Sequence, residues 1–467
     1  MHQDFLSNFQ EQKNSQQKFK EMGFKERKLQ LKKLLHEIQL HSSEIESALN
    51  SDYQKSSEET KLTEIYPTIR AIKHILSHLE SWMNPTKVDA TLAYLGTTSE
   101  IIYEPKGVCA IIAPWNYPFL LVMSPLAQAI AAGNAVMIKP SEYTPHTSAL
   151  LKRILSKVFS SDQVAVIEGD HEVSTALLKL KFDHIFFTGS PMIGKVVMKA
   201  AAEHLTSITL ELGGKSPVII GQSANISNAA EKVMWAKLLN NGQTCIAPDF
   251  VFVHESVQEL FIQQCKEAIK KMYGDDPKQS KDYCRIVNAK HFARIQSLYL
   301  DAVKKGCQVH TGGNMDLDSN YIAPTILTDI ASDSAILEEE IFGPILPIIS
   351  FKEISDPINY LRKRDKPLAS YIFSKDQKEI DFFLYNTSSG STCINEIMLQ
   401  FTQPNLPFGG VNTSGLGRAN GKFGFIEFSN QRSVLRQFSP FSVTKLLFPP
   451  YQLAWKKKLI DLVLKWF

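Results

Sequence analysis

From residue 108 to about residue 204, short apolar runs alternate with segments of helical length. Val108 to Ala113, Ala135 to Ile138, Val164 to Ile167 and His184 to Phe187 read as buried strands, and helices are expected near 118–132, 145–159, 172–180 and 191–204. Such alternation points to a parallel, doubly wound sheet covered on both faces, with ligands at the carboxyl ends of its strands. A second alternating region runs from Cys245 to about residue 393. A chain of 467 residues exceeds the usual size of one core, so two or three units are expected. The uncharged stretch between Lys106 and Lys139 is not read as a membrane span, because Pro114, Pro118 and Pro125 interrupt it.

The usual glycine fingerprint of a dinucleotide site is absent. In its place Phe187-Thr188-Gly189-Ser190-Pro191-Met192-Ile193-Gly194 joins a strand to a helix. Ser190 suits the N-cap and Pro191 the first helical position, and the helix start offers free amides to a pyrophosphate. Ile193, Val196, Val197, Ala200 and Ala201 are expected to form the packing face of that helix. At the end of an earlier strand, Lys139 and Glu142 could hold the hydroxyls of a ribose. An acid there disfavours a 2′-phosphate, which favours NAD and leaves NADP possible.

Two further segments carry chemistry. Asn240-Asn241-Gly242-Gln243-Thr244-Cys245 sets a cysteine among small and polar neighbours, as for a nucleophile in a tight turn. Thirty-four positions earlier stands Glu211, in Glu211-Leu212-Gly213-Gly214-Lys215-Ser216-Pro217, where a strand-like run meets a glycine pair that permits a sharp bend. In this order and spacing the two segments closely resemble the aldehyde dehydrogenase superfamily, and within it the shorter class 3 branch, over roughly residues 20 to 450.

The resemblance implies an α/β, aldehyde dehydrogenase-like fold with two doubly wound parallel-sheet domains and a small bridging β element. Residues 1–84 and 106–211 would bind NAD(P), 212–393 would be catalytic, 85–105 and 394–440 would bridge two subunits of a homodimer, and 441–467 would form a basic amphipathic tail. It also implies that Cys245 attacks an aldehyde, that Asn116 and the Cys245 amide hold the oxyanion, and that Glu211 activates water. Lys139 and Glu142 would hold the adenosine ribose, and Thr188, Gly189, Ser190 and Gly194 would form the cofactor turn. Glu340 would hold the nicotinamide ribose, with Phe342, Leu212 and Trp115 nearby. The implied product is a carboxylic acid from a medium- or long-chain aliphatic or an aromatic aldehyde. The alternatives are transfer of the acyl group to coenzyme A, which has no need of Glu211, a non-catalytic binding protein on the same fold, and a thiol esterase.

A net charge of +3 leaves no footprint for nucleic acid. Six scattered cysteines form no metal or disulfide pattern, which suggests a reducing, cytoplasmic setting. The first twenty residues lack the apolar core of a signal peptide. Residues 20–80 look like covering amphipathic helices, with no chemistry assigned. The last residues, among them Trp455, Lys456, Lys457, Lys458, Leu462, Val463, Lys465, Trp466 and Phe467, form a basic segment that could pack on the protein or lie on a membrane surface.

Overall fold

The computed structural model describes residues 2–89, 91, 94, 96–440, 444–445 and 448–466. Helices α1 (His2–Lys20), α2 (Phe24–Leu40), α3 (Ser42–Tyr53) and α4 (Ser57–Thr60), a π-helical turn at Lys61–Ile65 and α5 (Tyr66–Met83) precede the strands. Strands β1 (Thr86–Val88) and β2 (Thr97–Pro105) form an antiparallel pair; Ala90, Leu92, Ala93 and Leu95 between them lie outside the described residues.

The first large sheet contains β3 (Val108–Ile112), β4 (Ala135–Lys139), β5 (Val164–Val166), β6 (His184–Gly189) and β7 (Ser207–Leu212), in the spatial order β7-β6-β3-β4-β5 and all parallel. Winding runs outward from β3 through β4 to β5, then restarts on the other side with β6. The switch point, where a crevice opens at the carboxyl ends, therefore lies between β3 and β6. Side chains alternate across the sheet. Cys109 and Ile111 enter a core shared with Leu31, Leu34 and Ile38 of α2 and with Ile72, Ile75 and Leu79 of α5. Val108, Ala110 and Ile112 enter the opposite core, with Phe5 and Phe19 of α1. The apolar stripes of the early helices are thus the cover of one sheet face.

The crossover helices are α6 (Leu120–Ala132), α7 (Pro145–Val158), α8 (His171–Leu177) and α9 (Pro191–Ala202). One expectation is corrected here. On α9 the buried residues are Gly194, Val197 and Ala201, while Ile193 and Val196 are 42% and 51% exposed. Gly194 explains the rotation: a Cβ there would lie 2.8 Å from Leu212 Cδ2, so the bare backbone approaches β7 and sets the contact face by closeness, not by apolarity.

Only residues 213–216 separate β7 from β8 (Pro217–Ile220), the first strand of the second sheet. That sheet is completed by β9 (Phe250–His254), β10 (Gln308–Thr311), β13 (Thr325–Thr328), β14 (Ile345–Phe351), β15 (Ala369–Phe373) and β16 (Ser391–Ile394), while β11 (Met315–Asp316) and β12 (Tyr321–Ile322) form a separate ladder. Its order is β10-β13-β14-β9-β8-β15-β16, parallel except for β10. Helices α10 (Ile226–Leu238), α11 (Gln258–Tyr273) and α12 (Ala289–Lys304) pack around it. Strand β17 (Gly415–Leu416) returns to the first sheet beside β7, and β18 (Ser429–Gln437) pairs with β2. A last helix spans Ala454–Trp466. Phe467 and the side chains of Val463 and Trp466 lie outside the described residues. Among the described residues no helix is long and apolar enough to cross a membrane.

Candidate active site

Past the end of α10 the backbone turns through Asn240, Asn241 and Gly242, with φ of 53°, 56° and 75°. Asparagine and glycine are the residues that enter this left-handed region most readily. Their side chains pin the loop. Asn240 Nδ2 donates to Gln243 O (3.1 Å), Asn241 Nδ2 to Cys284 O (2.5 Å) and Gln243 Nε2 to Arg285 O (3.1 Å). The polar run is therefore a mount for Cys245, which is half-buried on the wall of a cavity of about 750 Å³. Tyr117, Leu121, Trp235, Met272, Phe401 and Phe408 contribute to the wall, and so does Glu211.

Glu211 sits near the end of β7, opposite Gly415 of β17. It is 6% exposed, and neither carboxylate oxygen has a hydrogen-bond partner among the described residues. Burial holds its carboxyl well above the usual range, opposed by Arg418 and reinforced by Glu427. The Cys245 thiol is pushed up to about 12, first by burial and then by the Glu340 and Glu211 carboxylates, although its own amide and that of Ile246 favour the anion. Burial and the two carboxylates thus disfavour the thiolate, so a nearby proton acceptor favours attack.

Asn116 lies between β3 and α6 and is 4% exposed. It does not cap α6: the Phe119 and Leu120 amides are taken by Glu64 Oε2 at 3.1 and 2.9 Å. Asn116 Nδ2 donates to Gln243 O (3.0 Å), which turns the side chain toward the cysteine loop and leaves its second N–H free to donate elsewhere. Tyr53 Oη and Asn240 Nδ2 hold its carbonyl at 3.0 and 2.8 Å.

The remaining sequence candidates sit at or just beyond the carboxyl ends of the first sheet's strands, or in the segment that precedes β14. Ser190 Oγ accepts from Ile193 N at 3.4 Å and caps α9, and Thr188 and Leu212 also border the cavity. Lys139, 2% exposed, donates to Pro140 O (2.8 Å) and approaches Glu142 (3.4 Å). The Trp115 ring stands 5.4 Å from Phe342 and 4.7 Å from His291. The Glu340 carboxylate rests against Gly213, where any Cβ would collide with it, and burial first and Asp249 second push it up to about 8. First-turn amides, a lysine and acid at a strand end, a carboxylate over bare backbone and an aromatic shelf suit the phosphates, riboses and ring of a dinucleotide.

Supporting residues that sequence reasoning missed include Arg294, which donates to Glu340 O (2.9 Å) and Ile341 O (2.6 Å) and fixes that backbone. Lys215, ion-paired with Asp249, does the same at Ile336 O (2.9 Å) and Glu339 O (2.7 Å). Tyr53, Lys55, Glu59 and Glu64 lie in the segment that sequence alone assigns to covering helices.

Residues 2–434 match the aldehyde dehydrogenase family. Mouse aldehyde dehydrogenase family 3 member A2 is 42% identical over 418 residues, 89% of this chain and 85% of its own. A solved structure of Staphylococcus aureus AldH in a substrate-bound state is similar with a TM-score of 0.94 at 41% identity, covering 98% of this chain and 99% of that one. Glyceraldehyde-3-phosphate dehydrogenase GapN of Methanocaldococcus jannaschii DSM 2661, solved with NADP, gives a TM-score of 0.86 at 25% identity, covering 93% and 94%.

Proposed function

Because the chain belongs to the aldehyde dehydrogenase family and oxidises aldehydes to acids with a nicotinamide cofactor, we propose that Cys245, Glu211 and Asn116 carry that reaction. The observation behind this reading is that the Cys245 sulfur and the Glu211 carboxylate, which has no hydrogen-bond partner among the described residues, line one largely apolar cavity.

Cys245 Sγ bonds to the carbonyl carbon while its proton passes to Glu211, whose raised affinity for protons suits a base facing a reluctant thiol. The carbonyl oxygen takes up the negative charge. The free N–H of Asn116 and the Cys245 amide receive it, and such donors are each typically worth a hundredfold or more in rate. A nicotinamide cofactor held by Lys139, Glu142, Ser190 and Glu340 would supply the hydride acceptor for the former aldehyde carbon, and a thioester on Cys245 would remain. Glu211 passes the thiol's proton to bulk solvent, which accounts for the one proton the reaction releases, and then takes another from the attacking water. The resulting hydroxide adds to the thioester carbon, the C–S bond breaks, the leaving sulfur takes the proton now on Glu211, and the acid departs. The position of Glu211 on the cavity wall supports hydrolysis over acyl transfer to coenzyme A.

The cavity's size and its aromatic and aliphatic lining favour medium- or long-chain aliphatic or aromatic aldehydes, and Glu142 near the ribose position favours NAD over NADP. With a series of linear aldehydes, kcat/KM is expected to rise about fourfold per methylene until the cavity is filled, from about 0.8 kcal/mol per buried CH₂. A flat series, or one that falls from the shortest member, would refute an apolar tunnel. The same assays with NADP are expected to give the lower kcat/KM.

The sheet β1-β2-β18 gives the chain an open strand edge suited to a homodimer. On the last helix Trp455, Leu462 and Leu464 are exposed alongside Lys457, Lys458 and Lys465, which favours peripheral contact with an anionic membrane surface over packing on the body. Deleting residues 452–467 is expected to abolish co-sedimentation with anionic vesicles and leave a dimer by ultracentrifugation. Undiminished vesicle binding would remove the tail's role, and a monomeric intact chain the dimer.

A further inference from the structure

Resting on the roles given to Asn116 and Cys245, we propose that the segment from Tyr53 to Glu64 is a strut that fixes the spacing of the two loops carrying them, with Lys55, Glu59 and Glu64 as its positioning residues. Lys55 and Glu64 are both 0% exposed and lie 3.2 Å apart. Glu64 Oε2 takes the Phe119 and Leu120 amides, just beyond Asn116. Glu59 Oε1 accepts from Asn240 N at 2.8 Å and so holds the other loop, five positions before Cys245. One carboxylate is thus fastened to each loop.

Other contacts close the circuit. Tyr53 Oη donates to Asn116 O (3.0 Å), and Lys55 Nζ lies 4.2 Å from the centre of the Tyr117 ring. The Tyr117 hydroxyl shares a hydrogen bond with Thr244 Oγ1 (2.7 Å), next to the nucleophile. The π-helical turn at Lys61–Ile65 has a geometric part in this. Glu59 and Glu64 are five positions apart, which in an α-helix would turn them about 140° from one another. Glu59 lies in α4 and Glu64 within the wider π-helical turn that follows it, and both side chains are buried. From the same stretch, Leu62 and Thr63 line the cavity, as does Tyr66 at the start of α5.

A buried ion pair is seldom retained for stability, because an apolar pair of similar volume often serves as well or better. Its geometry is harder to replace, and a reacting group misplaced by about 1 Å can cost on the order of a hundredfold in rate. Stability and rate should therefore separate.

The test compares Lys55→Met, the double variant Lys55→Met/Glu64→Leu, Tyr53→Phe and Asn116→Ala by thermal melting, by KM for aldehyde and NAD, and by the pre-steady-state rate of NADH formation. Lys55→Met is expected to lower both the melting temperature and that rate. The double variant should recover the melting temperature, yet form NADH at least about tenfold more slowly than the unaltered enzyme, with both KM values within about threefold. Recovery of the rate together with melting would overturn the proposal, since a merely structural pair behaves that way. Tyr53→Phe removes one hydrogen bond and no charge. It is expected to slow NADH formation about threefold or more at unchanged melting temperature, and an unchanged rate would overturn the proposal even if the charge variants fail to fold. Asn116→Ala keeps the two readings apart. If it leaves the rate unchanged, the oxyanion role falls. If it slows the rate while Tyr53→Phe and the folded double variant do not, only the strut falls.

Discussion

Cys245→Ser should reduce turnover by about a thousandfold or more and leave cofactor binding nearly unchanged. The reason lies in the surroundings of the sulfur. Burial and two carboxylates already push a thiol up to about 12. A hydroxyl starts from far weaker acidity, and the same surroundings would place its anion beyond the reach of a carboxylate base. The crevice residues Lys139, Glu142 and Ser190 belong to β4, its following loop and the cap of α9, none of which the exchange touches. NAD titration by fluorescence should therefore give a dissociation constant within about threefold of the original. Turnover within tenfold of the unaltered enzyme would end the assignment.

Glu211→Gln should lower steady-state turnover by roughly a hundredfold or more, the usual contribution of a general base. The amplitude of the first NADH burst should persist near one per site, because acylation consumes no water. The rate of the burst should also fall, since the thiol loses its proton acceptor. An unchanged steady state would refute the role. Stability offers an independent check. The folded-state pKa of Glu211 is raised, so between the ordinary value near 4.5 and the raised one the folded chain binds more protons than the unfolded chain. Stability from this group is full below that window and is lost as pH rises through it. A neutral glutamine has no such dependence. The variant should melt higher than the unaltered enzyme at pH 8, and the gap should close toward pH 4.5. A variant that melts lower at pH 8 would mean the carboxylate is not held as the structure places it.

Local pattern was enough to read the first parallel sheet, because its central strands β3 and β4 are short apolar runs buried on both faces. It also picked out the cysteine turn, because left-handed backbone calls for asparagine and glycine. The face of α9 could not be read that way, since Gly194 packs through the absence of a side chain. Lys55, Glu59 and Glu64 look like a solvated helix face, and their burial comes from chain 55 to 181 residues further on. Nor does any local pattern reveal what raises the Cys245 thiol, because the two carboxylates that disfavour its anion, Glu211 and Glu340, stand far from it in sequence.

Leu62 and Tyr66 meet Phe401, Phe408 and Asn420 around the same cavity. A polypeptide still being synthesised thus carries its reactive sulfur long before it can enclose it, and no contiguous half of the molecule contains the whole chamber. Genetic splitting between residues 71 and 398 would have to bring both fragments back together before any aldehyde could be consumed.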